Sequence, residues 1–168
     1  MDSPTSSRSS STDCRQTRSP APSTTSGART ELPAYVDVSA IVKLIARETE
    51  SEALRGFLRR ERLASSELAI AEVPRALRRL GSERPGLPLK ELLASAGRVL
   101  ATVDLVALDR DLLILAGRFD DAYLRALDAI HIATALTVAE DLEWFVSYDR
   151  RQAEIARAAG LPLAQPGI

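Results

Sequence analysis

Cysteine and histidine are almost absent from this 168-residue chain, with Cys14 and His131 the only ones. A disulfide framework needs a pair of cysteines and a thiolate metal site needs several, so the sequence excludes both and indicates a reducing compartment such as the cytoplasm. A single histidine also excludes the histidine triad of a catalytic zinc site. Its apolar neighbours predict a packed core position for His131. No apolar run approaches the roughly 20 residues of a membrane-spanning helix, so we expect a soluble protein without a membrane partner.

The chain also lacks a large excess of charge, since its formal net charge is −1. Lys43 and Lys90 are the only lysines, so nearly all of the positive charge is arginine. A mildly acidic protein is not an obvious nucleic-acid binder, and contact with RNA would require a local basic patch. Two groups of arginines are candidates for such a patch, or are simply solvated helix faces: Arg55, Arg59, Arg60 and Arg62, and Arg75, Arg78 and Arg79.

The N-terminal segment is poor in apolar residues. Residues 1–30 contain nine serines, six threonines, three prolines and four arginines. Such a segment cannot bury enough apolar surface to fold. We therefore predict a disordered Ser/Thr/Arg-rich tail at residues 1–32 and one folded domain at residues 33–168. No apolar segment follows the scattered arginines, so we do not expect a secretory signal, and a wrongly assigned start codon is an alternative origin of the tail.

Short apolar runs alternate with helical stripes from residue 34 onward. Strands are predicted at residues 34–38, 62–65, 102–108, 144–147 and 161–163. Helices are predicted at about residues 40–46, 51–60, 66–80, 89–100, 109–119, 124–139 and 149–159. In the third helix, Pro74 is expected to cause a bend or a late start, and Gly81 is expected to end the helix. This alternation predicts an α/β fold, with a parallel sheet covered by helices on both faces.

Four acidic residues stand in segments that predict a shared site. Asp37 ends the first predicted strand and Asp149 follows the fourth, and ligands of open parallel sheets bind at the carboxyl ends of the strands. Asp128 lies within an apolar helix, where an unpaired carboxylate is costly, and Glu72 has apolar neighbours that suggest buried surroundings. Clustered carboxylates repel one another, so the group predicts a divalent cation, with Mg²⁺ or Mn²⁺ favoured over Zn²⁺ by an all-oxygen site. The pattern indicates a metal-dependent hydrolase.

Each carboxylate also has a purely structural explanation. Asp37 is a possible helix N-cap, although Ser39 is placed to serve instead and leave Asp37 free to bind metal. Asp149 is likewise a possible cap, and Asp128 has Arg125 one helical turn away as a possible ion-pair partner. A glutamate on a helix is ordinarily solvated. The combination of all four nevertheless favours metal ligation.

Four segments taken together resemble the PIN-domain ribonucleases and, within them, the VapC toxins of toxin–antitoxin modules. The segments are residues 35–40, 71–77, 124–135 and 145–151, followed by a similar closing stretch at 158–161. Each is weak alone, and their order and separation make the resemblance specific. It covers residues 34–166 and implies a three-layer α/β/α PIN-like fold with a short parallel sheet.

The resemblance implies a site and an activity. Asp37, Glu72, Asp128 and Asp149 match the acidic quartet that binds divalent metal in the family, and Ser39 matches a small hydroxyl residue that helps to order a metal-bound water. With Mg²⁺, or Mn²⁺ in its place, such a site would activate water to cleave a structured RNA, leaving 5′-phosphate and 3′-hydroxyl ends. The family is the basis for naming these five residues as catalytic.

The resemblance also implies partners. They are an RNA substrate, a cognate VapB-like antitoxin and a second copy of the chain in a homodimer. Apolar faces around Leu54, Phe57 and Leu92 are candidate docking surfaces, or ordinary core. A non-catalytic PIN-like module that binds RNA or protein stays open as an alternative. A haloacid-dehalogenase-type phosphatase is disfavoured, because Ser39 occupies the position where that mechanism needs a second aspartate.

Overall fold

The computed structural model describes residues 33–168, in which five short strands alternate with seven α-helices. The strands are β1 Ala34–Val36, β2 Leu63–Ser66, β3 Val103–Val106, β4 Trp144–Val146 and β5 Leu163–Ala164. The helices are α1 Val38–Ile45, α2 Ser51–Phe57, α3 Ala69–Glu83, α4 Leu89–Leu100, α5 Arg110–Ala116, α6 Ala126–Thr137 and α7 Arg150–Ala158, with a 3-10 turn at Ala139–Asp141. The predicted tail lies outside the described residues, so its boundary stays a prediction.

The five strands form one sheet in the order β3-β2-β1-β4-β5, and every neighbouring pair is parallel. β1 lies at the centre, where Tyr35 is opposite Ala64 of β2 on one side and Phe145 of β4 on the other. From β1 the chain builds outward through β2 and β3, and later on the other side through β4 and β5. The order therefore reverses between β1 and β4, which is where ligands bind in open sheets of this type.

Helices cover both faces of the sheet because successive side chains of a strand point in opposite directions. Val36 of β1 packs with Ile41 and Leu77 in the layer formed by α1, α2, α3 and α4. Tyr35 packs with Ile132 in the opposite layer, which contains α6 and α7 and is extended by α5. The predicted parallel α/β/α architecture is therefore confirmed, with both cores meeting at β1.

The third helix differs from its prediction at both ends. Ser66 belongs to β2, so α3 begins at Ala69, and it continues past Gly81 to Glu83. Gly81 does not adopt the positive φ of a helix-ending glycine; that conformation occurs at Gly86, with φ of 102°. The helix ends just before Pro85, because a residue that precedes proline disfavours helical geometry. α3 contains Pro74 in its interior, so a start after the proline is excluded.

The apolar residues suggested as a docking surface belong to the core. Leu54 is completely buried, and Phe57 and Leu92 pack against the same cluster. Phe57 also meets Trp144 edge to face, with ring centres 5.6 Å apart. Of the two explanations, ordinary core is the one that the structure supports.

No helix between residues 33 and 168 combines the length and the apolar character needed to cross a bilayer.

Candidate active site

All four predicted acids lie at the N-termini of helices. Asp37 is the N-cap of α1, Asp149 is the N-cap of α7, and Glu72 and Asp128 lie in the first turns of α3 and α6. The partial positive charge at a helix N-terminus stabilises a nearby carboxylate. Because α1, α3 and α7 follow β1, β2 and β4, their N-termini stand at the carboxyl edge of the sheet. Local structure thus favours negative charge at this edge.

Asp37 is the most buried of the four acids, with 4% of its surface exposed. Its Oδ1 accepts hydrogen bonds from the Ala40 backbone N–H at 2.9 Å and from Ser39 Oγ at 2.7 Å. Burial raises the pKa of Asp37, and these hydrogen bonds oppose the rise. The prediction that Ser39 caps the helix is therefore wrong. Asp37 is the cap because its backbone is extended just before α1, and its carboxylate still has lone pairs for another ligand.

Ser147 was not predicted to take part in the site. Its Oγ lies 3.0 Å from Asp37 Oδ2 and 2.7 Å from Gln152 Oε1, and it accepts from the Asp149 backbone N–H at 3.2 Å. Ser147 and Gln152 are both buried. A hydroxyl has one proton, so it donates to one of these acceptors at a time. Ser147 thereby links Asp37 to the turn that carries Asp149. A polar residue that ends the apolar run before Asp149 was the available sequence signal.

Glu72 is held by the only histidine of the chain. Its Oε2 lies 2.9 Å from His131 Nε2, and His131 Nδ1 lies 2.8 Å from the hydroxyl of Tyr35. Tyr35 and His131 are buried, as predicted for His131, whereas 21% of the Glu72 side chain is exposed. The expectation of buried surroundings for Glu72 is only partly right, because neighbouring Ile70 is 54% exposed. No pattern in the sequence predicted this Tyr35–His131–Glu72 chain of hydrogen bonds.

Asp128 is half-buried in the first turn of α6, and not in mid-helix as predicted, because the helix begins only at Ala126. Burial is the largest cause that raises the pKa of Asp128. The negative charges of Asp149, Asp37 and Glu72 raise it further, and Arg125 opposes them. No ion pair between Asp128 and Arg125 occurs among residues 33–168. The structure therefore brings the four carboxylates within electrostatic reach of one another.

Asp149 has one of the two roles that the sequence left open to it, that of a helix cap, and its role as a metal ligand stays a prediction. Its Oδ1 accepts from the Gln152 backbone N–H at 3.0 Å as the cap of α7. The same residue lines an open cleft of about 480 Å³ together with Asp128, and the other lining residues are Arg125, Arg150, Arg151 and Glu154. Three acids and three arginines thus share one cleft.

The arginines of the cleft are not those of the two predicted basic patches. Several of the predicted ones have other contacts: Arg62 pairs with Asp104 at 2.6 Å, and Arg79 lies 3.7 Å from Glu83. Arg55 donates to the Leu44 carbonyl at 3.0 Å. All seven arginines of the predicted groups are exposed. The arginines beside the acids are instead Arg125, Arg150 and Arg151, which lie at the start of α6 and α7.

The carboxylate oxygens of the four acids suit a hard divalent cation, but they are too far apart to bind one together. Within residues 33–168, no three His, Cys, Asp or Glu side chains stand close enough together to hold a metal ion. Yet Asp37 is a buried carboxylate without a cationic partner among the described ion pairs, and Asp128 is opposed by three like charges. A divalent cation would relieve both. Binding one would require the side chains to move closer together.

Residues 34–158 match the PIN domain. The chain belongs to the PIN domain family. Two similar PIN proteins are from Mycobacterium tuberculosis: ribonuclease VapC46 is 45% identical over 134 residues, and ribonuclease VapC35 is 39% identical over 138 residues. Each alignment covers 79% of this chain and 96% of the relative.

Solved structures show the same PIN architecture. M. tuberculosis VapC20, described as a sarcin-ricin loop cleaving toxin, superposes with a TM-score of 0.57 at 18% identity, over 79% of this chain and 99% of that chain. VapBC2 from Rickettsia felis, bound to a DNA fragment from its promoter, gives a TM-score of 0.54 at 12% identity, over 79% and 98%. At these identities the superpositions speak for the fold alone, and they confirm it.

Proposed function

We propose that the protein is a VapC-type ribonuclease toxin, an endoribonuclease that hydrolyses phosphodiester bonds of a structured RNA with the help of Mg²⁺ or Mn²⁺. One observation carries this proposal: the charges of Asp149, Asp37 and Glu72 all oppose the ionisation of Asp128. Asp128 therefore lies within electrostatic reach of the other three carboxylates. The ribonuclease VapC relatives support the same activity.

In this proposal the four acids bind the cation and Ser39 orients one of them. Asp37, Glu72, Asp128 and Asp149 would hold the cation, which when bound supplies an activated water and offsets charge on the scissile phosphate. Ser39 Oγ donates to Asp37 and accepts from the Tyr148 backbone N–H at 2.7 Å. It would orient the Asp37 carboxylate and a water beside it.

The substrate would be held at the arginine-lined side of the cleft. Arg125, Arg150 and Arg151 can neutralise RNA phosphates, a contribution to affinity that weakens as salt rises. The Arg151 guanidinium lies 5.6 Å from the centre of the Tyr123 ring and donates to the Tyr123 carbonyl at 2.8 Å. Tyr123 is 75% exposed, so its ring can stack against an unpaired base.

The proposal extends to partners and location. We propose a cognate VapB-like antitoxin, a homodimer, and action in the cytoplasm, where the RNA substrate would be found. A structural neighbour from Rickettsia felis was solved as VapBC2, and this supports the proposal of an antitoxin partner.

A non-catalytic PIN-like module that binds RNA or protein is the second candidate. One observation favours it: among residues 33–168, no three potential ligands stand close enough together to hold a metal ion. The presence of all four acids favours the nuclease. The two candidates differ in whether bound RNA is cut.

The deciding experiment is RNA cleavage by the purified protein with Mg²⁺ or Mn²⁺, beside EDTA and beside Asp37→Asn. Asp109→Asn is the matched control, because Asp109 is also an aspartate N-cap, accepting from the Leu112 backbone N–H at 2.8 Å on α5. We expect cleavage by the wild type and Asp109→Asn, and a loss of about 100-fold or more in Asp37→Asn and in EDTA. Cleavage retained by Asp37→Asn would contradict the site. Binding of RNA without cleavage would favour the module.

A further inference from the structure

The side chain of His131 uses both ring nitrogens although it is only 2% exposed. Nδ1 faces the Tyr35 hydroxyl at 2.8 Å and Nε2 faces Glu72 Oε2 at 2.9 Å. Three elements thus meet in one chain of hydrogen bonds: β1 provides Tyr35, α6 provides His131 and α3 provides Glu72. A buried imidazole needs a partner for each ring nitrogen, and here one of the two partners is an acid of the candidate site.

The donors and acceptors in this chain fit only one arrangement of the neutral ring. A carboxylate only accepts hydrogen bonds, so the proton between His131 and Glu72 belongs to Nε2. Nδ1 is then an acceptor, and the tyrosine hydroxyl donates to it. Tyr35 is fixed in turn by stacking on Phe145, with ring centres 5.4 Å apart and planes 11° from parallel. The Nε2–H form of His131 therefore satisfies both contacts.

The consequence for Glu72 is a fixed carboxylate. Glutamate has a flexible side chain, and Glu72 lies partly exposed in the first turn of α3. His131 binds Oε2 and leaves Oε1 without a hydrogen bond from any residue between 33 and 168. The bound oxygen restricts the rotation of the carboxylate, so that Oε1 is the atom available to the shared site.

We propose that His131 is a positioning residue for Glu72, with Tyr35 donating to Nδ1 and so supporting the ring form that donates to the carboxylate. The inference rests on the proposed function, in which Glu72 helps to hold a divalent cation. Carboxylates that bind metal depend on hydrogen-bonding partners of this kind, and loss of such a partner typically weakens metal binding by about 10- to 100-fold.

Two substitutions at His131 separate positioning from packing. Glutamine can place its amide nitrogen near the position of Nε2, where it can still donate to Glu72. Asparagine is shorter and places a polar atom near the position of Nδ1, facing Tyr35. We expect His131→Gln to bind Mn²⁺ within about threefold of the wild type, and His131→Asn to bind it about tenfold or more weakly. Binding of Mn²⁺ alone is measured by calorimetry, beside thermal unfolding of each variant without metal.

Several outcomes would overturn the inference. Equal Mn²⁺ affinity in the wild type and both variants would do so, as would losses of affinity that follow the losses of thermal stability. If the wild type itself neither binds Mn²⁺ nor cuts RNA, the proposed function fails and the positioning role fails with it. If the wild type does both and the two variants behave alike, only the positioning role fails.

A second measurement is independent of metal. Because His131 is the only histidine, the imidazole nitrogens of tag-free, ¹⁵N-labelled protein give a single set of resonances. We expect the Nε2–H form in the wild type, because Glu72 accepts only from that nitrogen, and a smaller share of that form in Tyr35→Phe, which lacks the donor to Nδ1. An Nδ1–H form in the wild type would contradict the proposed role of Tyr35 and of the donor to Glu72.

Discussion

Ser39 Oγ accepts a hydrogen bond from the backbone N–H of Tyr148 at 2.7 Å, although the two residues are 109 positions apart. The bond connects the first turn of α1 to the loop between β4 and α7, and so spans the point where the strand order reverses. The same hydroxyl donates to Asp37. Ser39 therefore holds together the two loops that carry Asp37 and Asp149.

Ser39→Ala should lower both stability and activity. It removes the acceptor of the Tyr148 N–H and one donor to the buried Asp37, and an unsatisfied buried group costs about 1–3 kcal/mol. We expect the free energy of unfolding in urea to fall by about that amount, and RNA cleavage to fall about tenfold. Ser39→Thr keeps the hydroxyl and is the matched control. Equal stability of the two variants would show that the hydroxyl has no such role.

Asp37→Asn should raise the stability of the metal-free protein at neutral pH. Burial raises the pKa of Asp37, so the folded state binds this proton more tightly than the unfolded state does. Stability then falls as pH rises from the ordinary aspartate value of about 3.9 through the raised pKa of the folded protein. Asparagine keeps the cap and carries no charge.

The measurement is the Tm of both proteins in EDTA at several pH values. We expect the wild type to become more stable as pH falls through the raised pKa of Asp37 toward the ordinary value of about 3.9, and the advantage of Asp37→Asn to shrink over the same range. A constant difference between the two proteins would mean that the charge of Asp37 does not oppose folding.

Asp128→Asn should leave the fold intact and remove stabilisation by metal. The pKa of Asp128 is raised by burial and by its acidic neighbours, so removal of its charge relieves repulsion. In the wild type, Mn²⁺ at about 100 times its Kd should add about 2.7 kcal/mol to the free energy of unfolding. The exposed Asp111, in the first turn of α5, provides the control Asp111→Asn. Full Mn²⁺ stabilisation of Asp128→Asn would remove this residue from the proposed ligands.

Arg151→Ala should weaken RNA binding more than it slows chemistry. Arg151 lines the cleft and holds the Tyr123 loop. We expect KM to rise about tenfold with little change in kcat, and the slope of log affinity against log salt to fall by about one unit. Arg62→Ala is the control, since Arg62 is an exposed arginine paired with Asp104 outside the cleft-lining residues. An unchanged salt slope in Arg151→Ala would exclude a phosphate contact.

The order of the elements was predictable from the sequence because it depends on local periodicity. The helix at Leu89–Leu100 begins and ends where its apolar stripe does, and α5 begins at Arg110, one residue after its predicted start. Errors arose where a neighbouring residue decided the outcome. Gly81 was expected to end α3, but Pro85 comes later and fixes the end of the helix.

The contacts that shape the site could not be predicted from such local patterns. His131 and Glu72 are 59 positions apart, and Ser147 and Asp37 are 110 positions apart. Periodicity assigns a residue to a face of its own element, and it does not determine which residue of another element that face meets. The four acids were found because each stands in a recognisable segment, and their role as metal ligands stays a prediction.

The register of the three residues of β1 determines which side chains face each helical layer. Ala34 and Val36 face one helical layer, and Tyr35 faces the other, where its hydroxyl contacts His131. Asp37 follows directly after Val36. Inserting or deleting one residue here would exchange the two faces and displace the carboxylate by one position. An insertion in the turn at residues 84–88 would meet no such constraint. The register of this one short strand thus determines both the packing of the core and the position of the Asp37 carboxylate.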